Sequence, residues 1–433
     1  MISEKATSKI LAAEAKRLSS VINSKIQITK LSSDYASFYM NLDLEKQNDD
    51  SLSNDLNLLA AQTIEEIKDH SNGCHFNFGL SSLPQGKKKD LILASICTSA
   101  VEGGGGGICL SPESKGFTRD TRAVFIDRIE SRNAHDSYGK PILKLTNESL
   151  SLGTHRFQIT GMGFNQSEMS MLMRIFPLSL LFLGFEKGYE FDNIKIVYPV
   201  RVIRICANDI LNQQDFSVFV NGKLKNMTSL DLRYLFFRNI QKFIKAKPEC
   251  IPAWVKEHKV MRTWKYILDT LRAGKIERLG DMLDWAIKYK YYSLFIKSRD
   301  VSWDNIENDI LHQLIMMDIS YQSVTEDSLF EAWGKMGLLP RARILDKNSI
   351  SEAINNPPKS ALPRAKLRAR EISNPSYAYQ YADWDHLKFE KGQMSVDLRN
   401  PFCGKDKLLI NDVKINTREE EFRPYQYFHR SFG

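Results

Sequence analysis

The chain has no Cys-x-x-Cys pair, and its six cysteines, at positions 74, 97, 109, 206, 250 and 403, are scattered through 433 residues. That spacing excludes a zinc ribbon and a disulfide framework and reads as reduced, mostly buried thiols of a cytoplasmic protein. Long apolar runs are missing too. The most hydrophobic stretch, Met169 to Phe185, is broken by Arg174 and Pro177 and is too short to span a bilayer. A buried helix is expected there, and no membrane partner. The opening MISEKATSKILAAEAKRL lacks the apolar core of a signal peptide. Five glycines in a row, Gly103 to Gly107, are not followed by Lys-Ser/Thr, so they do not form a P-loop. A flexible, exposed turn is expected instead. No internal repeat occurs, and the net charge of +8 is modest for this length. It favours an acidic partner without singling out nucleic acid.

What is present is a globular composition, 42% hydrophobic and 26% charged, in a chain long enough for one large and one small domain. Helical spacing runs from Ala6 to Ile22 and from Leu56 to Ile67. Alternation suggests strands at Lys25–Thr29, Phe38–Leu44, Asn72–Phe78, Ala123–Ile129, Ile142–Leu145 and His155–Thr160. Ile194 to Ile203 is rich in β-branched residues and reads as one long strand or a strand pair. From Ser229 the pattern turns almost wholly helical to about residue 345, with Thr228 or Ser229 as the N-cap. The expected fold is therefore α+β: an antiparallel sheet with helices packed on one face in residues 1–356, and a small C-terminal domain in residues 357–433. A sheet covered on one side leaves its other face open for a ligand.

The most informative stretch is Ser351 to Lys388, SEAINNPPKSALPRAKLRAREISNPSYAYQYADWDHLK. Pro357-Pro358 stops whatever precedes it. Arg364, Lys366, Arg368 and Arg370 then alternate with other residues, so an extended segment would carry all of them on one side. Read alone, such a run is usually a solvated face. A basic nucleic-acid module, with bases stacked on Tyr377, Tyr379 and Tyr381, is the last-ranked alternative; nucleic acid is not the expected partner.

The words EAINNPP, RAKLRAREI and DWDHLKF resemble the C-terminal part of the Pup ligase and depupylase family. The resemblance extends upstream through Trp264…Leu268-Asp269, Leu283 to Lys290 and Met317 to Tyr321, and thins toward the N-terminus. It implies a glutamine synthetase-like fold. It also implies an ATP- and Mg²⁺-dependent ligase that phosphorylates a terminal glutamate carboxylate of a small acidic ubiquitin-like modifier and passes it to a lysine amine. Such chemistry needs carboxylates on Mg²⁺, cations around the phosphoryl group and a carboxylate base.

Several of those residues differ here. The family's first strand, with a Gly-Ile-Glu-Thr-Glu type motif, has no match, and Ser3 to Leu18 resembles the helix that follows it. The resemblance thus leaves a sheet edge open and implies a second chain that completes it. The catalytic aspartate's place falls on Asn41, with Asp43 as the nearest substitute. The Gly-Cys-His-Glu-Asn motif reads Gly73-Cys74-His75-Phe76-Asn77, which keeps His75 and Asn77. Glu148 and Glu168 remain as candidate metal ligands, and Asn165 matches a retained motif position. Arg156, Arg174, Arg364, Arg368 and Trp384 are the candidate nucleotide contacts, although a buried Arg156–Glu168 ion pair would serve structure equally well. The expectation is a Pup-ligase-like partner or regulatory subunit with degenerate catalysis. The alternative is an active, diverged ligase using ATP and Mg²⁺.

Overall fold

The computed structural model describes residues 75–80, 82–111, 114–132, 140–145, 155–252, 255–256, 259–323 and 327–346, together with 348, 350 and four short strands between 379 and 411. The elements expected before residue 75 lie outside the described residues, as do Asp43, Glu148, Arg364, Arg368 and Trp384. The chain divides into two compact units, Met1–Glu148 with His155–Asp346, and Ser149–Thr154 with Lys347–Gly433.

The first unit opens with β1 (Phe76–Leu80), α1 (Lys87–Thr98), α2 (Ala100–Gly103), β2 (Gly107–Ser111), β3 (Ser114–Thr118) and α3 (Thr121–Val124). It continues through β4 (Arg128–Ser131), β5 (Pro141–Lys144), β6 (His155–Ile159) and the long α4 (Glu168–Glu186). The central sheet has the order β1-β6-β5-β4. Its pairs are antiparallel except β4 with β5, which run parallel. On β1 the burial alternates, with Phe76 and Leu80 inside and Asn77 and Gly79 outside, as the two-residue repeat of a half-covered strand requires. Phe78 and the facing Phe157 both rest on Phe182 of α4, with ring centroids 4.7 and 5.3 Å away. That helix therefore covers one face of the sheet. It is long and apolar enough to cross a membrane, but Met173, Phe176, Leu180 and Leu181 are buried in the core.

Two strand expectations give way to helices. Residues 123–129 split into the end of α3 and the start of β4. The Asp120 side chain caps α3, accepting from the amides of Arg122 and Ala123, so the local hydrogen bonds favour a turn of helix. Residues 194–203 become β7 (Ile194–Ile196) followed by α5 (Pro199–Asn208). Pro199 occupies the first helical position, where its missing N–H costs nothing. Val202 and Ile203 then pack inward, and burial overrides their β preference. β8 (Asp215–Val220) and β9 (Lys223–Thr228) form a hairpin beside β7.

The helical section is α6 (Ser229–Ala246), α7 (Val260–Arg272), α8 (Asp284–Lys297), α9 (Asn308–Gln322) and α10 (Leu329–Lys335). Thr228 is the N-cap of α6 in a reciprocal capping box with Asp231. Trp264 and Trp285, fully buried, belong to the larger hydrophobic cluster, and Trp333, also fully buried, to a second one that α9 and α10 help to build. The second unit contains β10 (Tyr379–Ala382), β11 (His386–Phe389), β12 (Ser395–Asp397) and β13 (Ile410–Asn411), antiparallel in sequence order.

Candidate functional site

The face of the central sheet away from α4 gathers the side chains that sequence and register place on alternate positions. Asn77 pairs with Gln158 and Gly79 with Arg156 across β1 and β6, and Gln158 pairs with Lys144 of β5. One face therefore carries Asn77, Arg156, Gln158 and Lys144 in adjacent strands. The Arg156 Nε donates to Asn77 Oδ1 at 2.9 Å. The Asn77 amide nitrogen reaches back to the His75 carbonyl at 3.5 Å. His75 stands at the entry to β1, its Nε2 3.3 Å from Arg122 Nη2, while Arg122 Nε donates to the Thr160 carbonyl at 2.5 Å. His75, Asn77 and Arg156 thus meet in one polar, cationic cluster. Arg122 joins it through His75, and Lys144 stands beside Gln158 on the same face. They were absent from the sequence-based set because their placement depends on strand register, although the alternation of β5 carries a signal for Lys144.

Phe76, where the family motif has glutamate, points the other way. It is 9% exposed, faces Ile159 across the ladder and belongs to the hydrophobic core. The strand's alternation sends this position inward in the present register, and a phenyl ring fits that burial.

Asn165 and Arg174 sit in a different place, beneath the glycine run. Gly103 to Gly107 is buried, which corrects the expected exposed turn. A Cβ at Gly105 would lie 2.2 Å from the Phe164 carbonyl oxygen, and one at Gly104 would lie 2.2 Å from that of Arg119. Close backbone approach is the reason for glycine here, and a positive φ of 67° adds a second reason at Gly106. Asn165 Nδ2 donates to the Gly103 carbonyl at 3.1 Å and to Asp284 Oδ2 at 2.9 Å. Arg174 is fully buried in an ion pair with Asp120 at 2.9 Å and also donates to the Gly163 carbonyl. Asp284 accepts from the Ser167 amide and the Tyr321 hydroxyl as well, yet burial raises its carboxyl above the ordinary range. Lys288 and Asp318 form a further buried pair at 2.7 Å. These charges hold a loop in place; the Arg174 guanidinium is committed to Asp120 and Gly163.

The Arg156–Glu168 ion pair does not form. Arg156 turns to Asn77, and Glu168 Oε2 accepts from the backbone amides of Ile344 and Leu345, both at 2.7 Å. The first turn of α4 places this carboxylate against two free N–H groups, which satisfy it as well as a guanidinium would. Among the described residues, no group of three His, Cys, Asp or Glu side chains could hold a metal ion. Among the described residues the side chains on this face are amides and cations, with Gln158 buried; these are not by themselves the oxygen-donor set that Mg²⁺ takes.

An α+β unit with a helix-backed sheet and a polar open face is the architecture of glutamine synthetase-like proteins, and this chain has that fold. The family model described as Pup-ligase protein matches residues 1–388. The Pup–protein ligase of Actinosynnema mirum is 22% identical over 367 residues, covering 83% of this chain and 76% of that protein. The same identity and coverage hold for the Pup–protein ligase of Mycobacterium tuberculosis strain H37Rv. The structure of the Pup ligase PafA in complex with ADP matches with a TM-score of 0.64 at 19% identity, covering 86% of this chain and 79% of that one. The crystal structure of the complex between Pup and its ligase PafA matches with the same TM-score and identity, over 85% of this chain and 76% of that one. The chain belongs to the Pup-ligase family.

Proposed function

We propose that this chain keeps the scaffold of a Pup ligase and the binding of a small acidic Pup-like modifier, and that its ATP- and Mg²⁺-driven phosphoryl transfer is eroded. It then works as a partner or regulatory subunit in protein tagging. One observation carries this reading: on β1, Phe76 is in the core and Asn77 accepts from the Arg156 guanidinium. A divalent cation placed there would meet a neighbouring positive charge and an amide oxygen already engaged. A carboxylate of the modifier would instead share the Arg156 guanidinium with the contacts it already makes, through a charge-assisted bond. The expected second chain at the sheet edge concerns residues before 75, outside the described residues.

The second reading is an active ligase that joins a glutamate carboxylate of the modifier to a lysine amine. The likeness to a structure solved with ADP favours it. Asp43 would then be the base and Glu148 a metal ligand, with Arg364, Arg368 and Trp384 on the nucleotide. Glu168 would have to leave the Ile344 and Leu345 amides to reach a metal.

Incubation with a Pup-like modifier ending in glutamate, a lysine-bearing acceptor and MgATP separates the two. The expected result is modifier binding by fluorescence anisotropy, weakened about tenfold by Arg156→Ala, the loss of one charge-assisted bond, with no conjugate and no ADP release. Conjugate formation overturns the proposal, and so does an absence of modifier binding.

A further inference from the structure

The hairpin of β8 and β9 belongs to a three-stranded sheet separate from the central one. Its turn is Asn221-Gly222, both with positive φ (49° and 80°), the pattern that twists two strands tightly together. Phe216 and Val218 of β8 bury one side of this sheet, and α1 packs against β7. β9 lies at the sheet's edge in the order β7-β8-β9. Lys223, Leu224, Lys225 and Asn226 are all exposed, whichever face they are on. Leu224 is 59% exposed and stands opposite Phe219, itself 36% exposed. Lys223 and Lys225 lie opposite Val220 and Val218, on the other face. Neither lysine makes an ion pair among the described residues.

Such an edge has unpaired N–H and C=O groups on its outer side, and lysines are a common guard against pairing with a copy of the same strand. Two β9 edges brought together would set Lys223 and Lys225 against their own kind. The same lysines attract a strand of opposite charge. We propose that the outer edge of β9 docks an extended acidic segment of another protein as a fourth strand. Carboxylates alternate over Lys223 and Lys225, and an apolar residue lies beside Leu224 and Phe219. Main-chain hydrogen bonds supply affinity, and the alternation of charge and apolar contact supplies selectivity. This inference is independent of the open face of the central sheet.

The test uses the full chain and two labelled synthetic peptides, one alternating Glu with Val and one alternating Lys with Val. Fluorescence anisotropy at low salt should show the acidic peptide binding and the basic one not. Lys223→Glu/Lys225→Glu should weaken the acidic peptide at least tenfold without moving the thermal midpoint, and Leu224→Ser should weaken it while leaving the charge unchanged. Hydrogen exchange should slow at the amides of Leu224 and Asn226, which face the outer edge, when the acidic peptide is bound. Equal binding to the charge-reversed variant, no binding at millimolar peptide, or unchanged exchange in β9 overturns the proposal. So does self-association of the chain that Leu224→Ser abolishes, which would make a second copy the occupant.

Discussion

Arg156 and Asn77 are diagonal neighbours on adjacent strands of the central sheet, and the guanidinium Nε donates to the amide Oδ1 at 2.9 Å. The pair places a guanidinium and an amide side by side on this corner of the sheet. Its partner in the sequence, Phe76, shows the other half of the same choice, since the residue that the family motif reserves for glutamate is core packing here.

Restoring that glutamate is expected to damage the fold and leave nucleotide chemistry unrestored. Phe76→Glu removes a buried ring and places a carboxyl among Ile159 and its neighbours. The loss should be at least about 3 kcal/mol in urea unfolding. A variant as stable as the parent would mean that position 76 can turn outward, and the argument for an eroded site would fail with it.

The glycine run offers a paired test. Gly105→Ala sets a Cβ against the Phe164 carbonyl oxygen, and relief by backbone movement should cost about 1–3 kcal/mol. Gly334→Ala lies inside α10, with nothing within 4 Å of the new methyl and no positive φ. It should stabilise by about 0.4–1 kcal/mol through the unfolded chain. Thermal unfolding of the two variants should therefore move in opposite directions; a shared direction contradicts the buried packing of the loop.

Much of this was legible in the sequence, and the exceptions have physical causes. The α4 segment, the helical section after Ser229 and the Thr228 cap follow from periodicity and capping chemistry, which are local. The glycine run was misread because exposure and close packing both select glycine; only the positions of Phe164, Arg119 and Trp285 separate them. Residues 194–203 were misread because β-branched residues serve equally in a strand and on a helix's buried face once tertiary contacts decide. At the site, His75, Asn77 and Arg156 were found through the family motif, whereas Arg122 required knowledge of where α3 folds back onto β1.

The pH dependence of stability should carry a signature of Glu102. This carboxyl is fully buried against Arg233 and the Trp264 indole N–H. Burial raises its pKa above the ordinary 4.5, with the guanidinium's charge and hydrogen bond pulling the other way. A carboxyl raised in the folded state holds its proton more tightly there than in the unfolded chain. Its stabilising contribution is therefore complete below the unfolded value and is lost as pH rises through the folded one. Denaturant unfolding from pH 4.5 upward should show the parent losing stability relative to Glu102→Gln. A parent that instead gains stability relative to Glu102→Gln as pH rises would mean the ion pair with Arg233 outweighs desolvation.

The most direct measurement is calorimetric titration of the full chain with ATP, with and without Mg²⁺. The expected result is no Mg²⁺-dependent heat at millimolar nucleotide, and at most a weak signal that Arg156→Ala reduces and that magnesium leaves unchanged. Saturable binding that requires Mg²⁺ and persists in Arg156→Ala would contradict the eroded site.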